Sequence, residues 1–292
     1  MTIGKDFTID VFCIGVPRSR STWLKSVLDA HTGIYIPHVK EANFFVKTVN
    51  LYTSETNLRY LSDWQWYKSL YCGASNGQLK ADFSVNMLFN KHDSARLVRK
   101  YFPEAKFIVV LRNPMDRTYS HYWLDLLADI HSIVPRTFEE ALWSSRLIEC
   151  SRYYEQLTCW LEHFEKEQFY FMFDFDLDKN ANAVLNDLCL FLGIEQYVCE
   201  VNSDKVNGCF SYRGVYRSVL KMASIARRLG LGSVIDFVGK SGLWYMMDKV
   251  GKVSFQYPSM NPDTRKRLKE SLMPDIENLE KLLCKDLSAW KL

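Results

Sequence analysis

The sequence has no C-x-x-C pair, no Cys/His cluster at zinc-ligand spacing, no apolar run of membrane-spanning length and little net charge. Each absence removes a class of protein. The eight cysteines (Cys13, Cys72, Cys150, Cys159, Cys189, Cys199, Cys209, Cys284) are scattered, several within apolar runs, and read as buried free thiols rather than as a metal site or redox pair. With 37 Lys+Arg against 34 Asp+Glu the formal net charge is +3, so a nucleic-acid partner held by bulk charge is not indicated, and any anion site must be local. Met1–Asp10 lacks the basic and apolar regions of a secretory leader, and no stretch approaches the ~18 apolar residues of a membrane span. The expected location is the cytoplasm. Gly232–Val250, the longest apolar-leaning stretch, is broken by Asp236, Lys240, Ser241 and Asp248. That pattern suits a helical hairpin or a surface-lying lid, which leaves peripheral membrane contact open.

What is present is the composition of an ordinary folded protein, 292 residues with 48% hydrophobic and 24% charged, enough for a substantial core. Four β-rich runs, Ile9–Gly15, Gln78–Phe83, Lys106–Arg112 and Phe169–Phe173, alternate with helical patterns at Ser21–Ala30, Thr53–Leu70, His92–Tyr101, Pro114–Leu127, Phe138–Ser145, Arg152–Glu167 and Asn180–Leu192. Such alternation predicts an α/β fold, a three-layer domain with a central parallel sheet flanked by helices. After Gly193 the strand signal fades into a loop, a helix over Val215–Leu229, the apolar stretch and a helix over Asp263–Leu283. With no internal repeat and no Pro/Gly/Ser linker, the expectation is one domain over residues 1–292, an α/β core to residue 193 and a helical C-terminal extension beyond it.

Two segments have the form of anion sites. Val11 to Leu24 (V-F-C-I-G-V-P-R-S-R-S-T-W-L) is a strand, a tight turn with small hydroxyl residues and a helix start, which aims backbone N–H groups and a helix dipole at an anion. Against the nucleotide P-loop pattern, Gly15 and Thr22 fit, but Arg20 replaces the second glycine and Ser21 the lysine, which disfavours an ordinary kinase. Taken alone, the segment could be a strand–helix corner with solvated arginines. The second, Lys106 to Tyr122, is a buried strand ending in Arg112, then Asn113-Pro114 opening a helix. The step from Arg112 to Ser120 can put a guanidinium at the strand tip and a hydroxyl two helical turns on, on one side of a pocket. A molecule with phosphates at both ends of a nucleoside needs two such holders, and a nucleoside triphosphate needs one.

Pro17–Trp23 resembles the 5′-phosphosulfate loop (P-R-S-[GR]-[ST]-[ST]) of the sulfotransferases that use 3′-phosphoadenosine 5′-phosphosulfate, and Leu111–Ser120 resembles their 3′-phosphate motif, L-R-[DN]-P-x-x-R-x-x-S, at every fixed position. The resemblance implies a P-loop-like fold and a donor held by Arg18, Ser19, Arg20, Ser21, Thr22 and Trp23 at one end and by Arg112 and Ser120 at the other; Arg20 stands where many members have glycine, and either faces the anion or turns outward. Asn207–Ser218 looks like the family's third donor-binding strip, which implies Arg213, Gly214 and Arg217 as further contacts; these arginines equally suit a basic helix face continuing through Lys221, Arg227 and Arg228. His38-Val-Lys40-Glu41-Ala-Asn43-Phe44-Phe45 resembles the K-E-x-x-F-F segment of carbohydrate sulfotransferases and implies Glu41 as general base. Lys80, in Leu79-Lys80-Ala-Asp82-Phe83, resembles a family lysine and, with Arg18, is the candidate to stabilise the leaving phosphate oxygen; Asp82 is either a substitute base or a group orienting Lys80. A sulfuryl group carries less charge than a transferring phosphoryl, so no metal is required, and no carboxylate cluster is spaced as a metal site. The implied activity is sulfuryl transfer to a hydroxyl on a sugar, glycolipid or other acceptor, with adenosine 3′,5′-bisphosphate as product. The rivals are an atypical nucleotide kinase and a non-catalytic anion- or nucleic-acid-binding protein.

Overall fold

The computed structural model describes residues 7–128, 133–196, 209–212 and 252–292. Five parallel strands form the central sheet: β1 (Val11–Gly15), β2 (Ile34–Tyr35), β3 (Leu79–Asp82), β4 (Lys106–Leu111) and β5 (Phe169–Phe173), in the order β2-β3-β1-β4-β5. β1 is buried at every residue, as an interior parallel strand covered on both faces must be. Alternate side chains then serve two cores. Phe12 and Ile14, with Phe107, Val109 and Leu111 of β4, face one side; Val11 and Cys13, with Ile108 and Val110, face the other.

The second face is covered by α1 (Ser21–Asp29), through Leu24 and Leu28, and by α7 (Asp174–Leu192), through Leu185 and Leu188. On the first face pack α2 (Trp64–Ser69), α3 (Lys91–Tyr101), α4 (Pro114–Ala128), α5 (Phe138–Ser144) and α6 (Tyr153–Leu161). The long C-terminal helix, α8 (Pro262–Leu283), joins this layer by burying Leu268, Leu272, Ile276 and Leu279, one helical stripe, beside α4 and α6. The result is the predicted α/β arrangement.

Several boundaries differ from the periodicity. Of the expected helix over Thr53–Leu70 only Trp64–Ser69 forms, capped by Asp63, whose side chain accepts from the Gln65 N–H. Upstream, the Asn57 side-chain amide donates to the carbonyls of Asn43 and Val46, both at 2.9 Å, and holds the chain as a loop. The expected helix over Arg152–Glu167 stops at Leu161. α7 starts at Asp174 and breaks at Asn180 (φ −159°, ψ 87°), where the second half begins with the Asn180 side chain accepting from the Ala183 N–H. The region after residue 193 is not wholly helical: β6 (Cys209–Tyr212) and β7 (Lys252–Phe255) pair antiparallel, each too short to show a strand period in the sequence. Arg213, Gly214, Arg217 and the helices expected over Val215–Leu229 and Gly232–Val250 lie outside the described residues.

Candidate active site

β1 and β4 are neighbours and run the same way, so the two anion motifs that follow them emerge side by side at the carboxyl edge of the sheet. Gly15 ends β1 against Leu88; a Cβ there would lie 2.8 Å from the Leu88 Cβ. The loop then uses left-handed backbone at Arg18 (φ 73°) and at Arg20 (φ 63°), the residue that caps α1. No side chain caps the amides of α1 and no acidic residue stands in its first turn, so its positive end is uncompensated from within the helix. Ser19 is buried, and its hydroxyl has no hydrogen-bond partner among the described residues. An orphaned hydroxyl beside free helix amides is what an anionic ligand oxygen satisfies.

Arg112 stands at the tip of β4, its guanidinium donating to the Arg18 carbonyl at 3.0 Å. Arg18 in turn donates from Nε to the Oγ of Ser120, at 3.0 Å, and Ser120 is buried on α4. The two motifs thus meet through Arg18. α4 is fixed in this position by two devices. Asn113 accepts from the Met115 and Asp116 N–H groups ahead of Pro114. Arg117, fully buried, donates to Ser151 Oγ (2.6 Å) and the Leu147 carbonyl (3.0 Å) and contacts His121 Nδ1 (2.8 Å). Burial, with the nearby charges of Arg117 and Arg18, holds the His121 imidazole well below its ordinary pKa, so it stays neutral.

Glu41 lies on the loop after β2, in left-handed backbone (φ 60°), with its N–H donating to the Phe83 carbonyl at 3.2 Å and its own carbonyl accepting from Arg59 at 3.2 Å. One carboxylate oxygen is 3.4 Å from the Lys40 ammonium, the other 3.5 Å from the Asn86 amide. The same ammonium donates to Thr22 Oγ1 at 2.6 Å, which brings Glu41 beside the start of α1.

Lys80, Asp82 and Arg20 are placed otherwise than expected. Lys80 pairs with Tyr35 and Ala81 with Val11, so Lys80 stands level with Asp10, roughly 16 Å along the strands from Gly15. Its ammonium lies 5.9 Å from the centre of the Phe7 ring, at the amino edge of the sheet and away from both anion motifs. Asp82, only 2% exposed, accepts from Tyr67 Oη (2.6 Å) and Ser84 Oγ (2.5 Å). Burial raises its carboxyl pKa above the ordinary value, the two hydrogen bonds opposing, and Lys80 is not among its partners. Arg20 is turned outward into an ion pair with Asp178 of α7. Ser21 is buried at the start of α1, and Trp23 packs on the second-face core. Lys40 and Asn86 are what the sequence reading missed. Asn86 follows β3, where tracing that strand to its carboxyl end, as for β1 and β4, would have found it.

Among the described residues no three His, Cys, Asp or Glu side chains group as a metal site, and no helix is long and apolar enough to cross a membrane. A solved sulfotransferase from Alicyclobacillus acidocaldarius superposes with a TM-score of 0.68 at 22% identity, covering 98% of this chain and 100% of that one, a likeness of fold. A bifunctional heparan sulfate N-deacetylase/N-sulfotransferase 1 of Caenorhabditis elegans is 27% identical over 202 residues, 65% of this chain and 23% of the relative. Human heparan sulfate glucosamine 3-O-sulfotransferase 6 is 26% identical over 146 residues, 46% of this chain and 41% of that protein. The chain therefore spans about a quarter of the first relative's length and two fifths of the second's. The family model described as sulfotransferase domain matches residues 8–219, a stretch that holds β1 to β5, both anion motifs and the Glu41 loop, and the chain belongs to that family.

Proposed function

We propose that the protein transfers a sulfuryl group from 3′-phosphoadenosine 5′-phosphosulfate to a hydroxyl on a sugar or glycolipid. The observation that carries this reading is the pair of anion holders at adjacent strand tips, joined by the Arg18–Ser120 hydrogen bond. A single-phosphate site would need only the first. The donor supplies an activated sulfur–oxygen bond to the 5′-phosphate; the rest is the work of the chain. The α1 amides and the Ser19 hydroxyl suit the 5′ end, and Arg112 with Ser120 suits the 3′-phosphate. Glu41, some 30% exposed, is open to an acceptor and takes the hydroxyl proton as the oxygen attacks. The carbohydrate acceptor class rests on the heparan sulfate relatives and on the K-E-x-x-F-F segment.

Calorimetric titration tests the reading. The protein should bind adenosine 3′,5′-bisphosphate far better than AMP or ATP, and Arg112→Ala should weaken the bisphosphate by about 1.5–3 kcal/mol. Equal affinity for AMP and the bisphosphate overturns the assignment, and a preference for ATP returns the kinase.

A further inference from the structure

We infer that Lys40 is a catalytic residue, the ammonium that stabilises charge on the leaving 5′-phosphate oxygen; this rests on the proposed sulfuryl transfer. That reaction requires a cation where the sulfur–oxygen bond breaks. The structure takes two candidates away from that point: Lys80 is at the far edge of the sheet, and Arg20 is paired with Asp178. A third, Arg18, is directed at Ser120, on the 3′ side.

Lys40 is where the charge develops. Its ammonium donates to Thr22 Oγ1 (2.6 Å), on the second residue of α1 at the anion-binding end, and stands 3.4 Å from the Glu41 carboxylate. A group passing from the loop to a hydroxyl deprotonated by Glu41 must travel between these two contacts, alongside the ammonium. The backbone around it is anchored to the end of β3: the Glu41 N–H donates to the Phe83 carbonyl and the Asn43 N–H to Ser84 Oγ (2.9 Å). The phosphate loop lacks a lysine of its own, having Ser21 at that place, and Lys40 returns an ammonium to the same helix end from another segment of the chain. In the step the acceptor oxygen bonds to sulfur, its proton goes to Glu41, and the electron pair of the broken bond stays on the 5′-phosphate oxygen. Lys40 gains and loses no proton; beforehand it is paired with Glu41, and afterwards it faces the product phosphate.

The test is Lys40→Met, which keeps bulk and removes charge, with two readouts. Turnover should fall about 100-fold. Affinity for adenosine 3′,5′-bisphosphate should fall roughly tenfold, while that for adenosine 3′-monophosphate, which lacks the 5′ charge, should hold, showing also that the variant is folded. Lys40→Arg should recover most of both. Wild-type turnover in Lys40→Met, or equal weakening of the two nucleotides, overturns the inference while the transferase reading stands. Wild-type protein that binds neither nucleotide defeats that reading and this one together.

Discussion

Glu41 and Asp82 are both carboxylates near the sheet's carboxyl edge, and their surroundings differ. Asp82 is buried, with both oxygens occupied by Tyr67 and Ser84. Ser84 also accepts from the Asn43 N–H, so Asp82 fixes the loop that carries Glu41. Glu41→Gln, which cannot take a proton, should bind nucleotide normally and turn over roughly 10²–10⁴ times more slowly. Asp82→Asn should keep most of the turnover; near-normal turnover in Glu41→Gln with a dead Asp82→Asn would exchange the roles. The stability signature has a definite sign. Because the folded-state pKa of Asp82 is raised, native protein holds a proton that the unfolded chain has released, and the wild type loses stability as pH rises from the ordinary value of 3.8 through the raised one. The advantage of Asp82→Asn over wild type in urea midpoint should therefore be largest near neutrality and shrink as pH falls towards 4. Glu41 was legible as a candidate because the segment that carries it is contiguous. Lys80 was misplaced and Asp82 left ambiguous because strand register and the Tyr67 hydroxyl, brought in by α2, are non-local.

At the scale of elements, the strand–loop–helix unit from β1 to α1 is shaped by backbone that non-glycine residues adopt at a cost of about 1–2 kcal/mol each. At Arg20 that cost is set against an ion pair with Asp178 that is largely exposed and contributes at most about 1 kcal/mol. Arg20→Gly removes both and adds the extra unfolded-state freedom of glycine, so stability should stay within about 1 kcal/mol of wild type. If Arg20 is only an outer brace, bisphosphate affinity should stay within about threefold; a tenfold loss would put Arg20 back in the anion site. Both anion motifs were legible because each lies within one strand–turn–helix unit. The helix expected over Thr53–Leu70 failed because the Asn57 amide closes a loop on Asn43 and Val46, a choice that periodicity does not record.

Across the whole molecule, the turn Ser288–Trp290 is wired to the second anion motif. Trp290, 2% exposed, donates from its indole to Asp174 Oδ1 at 3.2 Å, and Asp174 Oδ2 accepts from the N–H of Asn113, the residue between Arg112 and the start of α4. Tyr153, in ring contact with Trp290, donates to the Arg112 carbonyl at 2.9 Å. Trp290→Ala should cost about 3–5 kcal/mol in chemical denaturation and weaken bisphosphate more than AMP; a variant as stable as wild type would show the tail to be a bystander. The three-layer α/β plan was readable from strand–helix alternation, whereas this tether was not, since it joins residues over a hundred positions apart. The sheet order has a consequence for synthesis. β1 leaves the ribosome first, yet its partners are β3 and β4, and the first residue of β4 follows Val11 by about 95 residues. At about 5–20 residues per second the apolar strand Val11–Gly15 waits roughly 5–19 s for its second neighbour. Until then this buried strand lacks a neighbour on one side, and the two anion motifs, which follow β1 and β4, are not yet side by side.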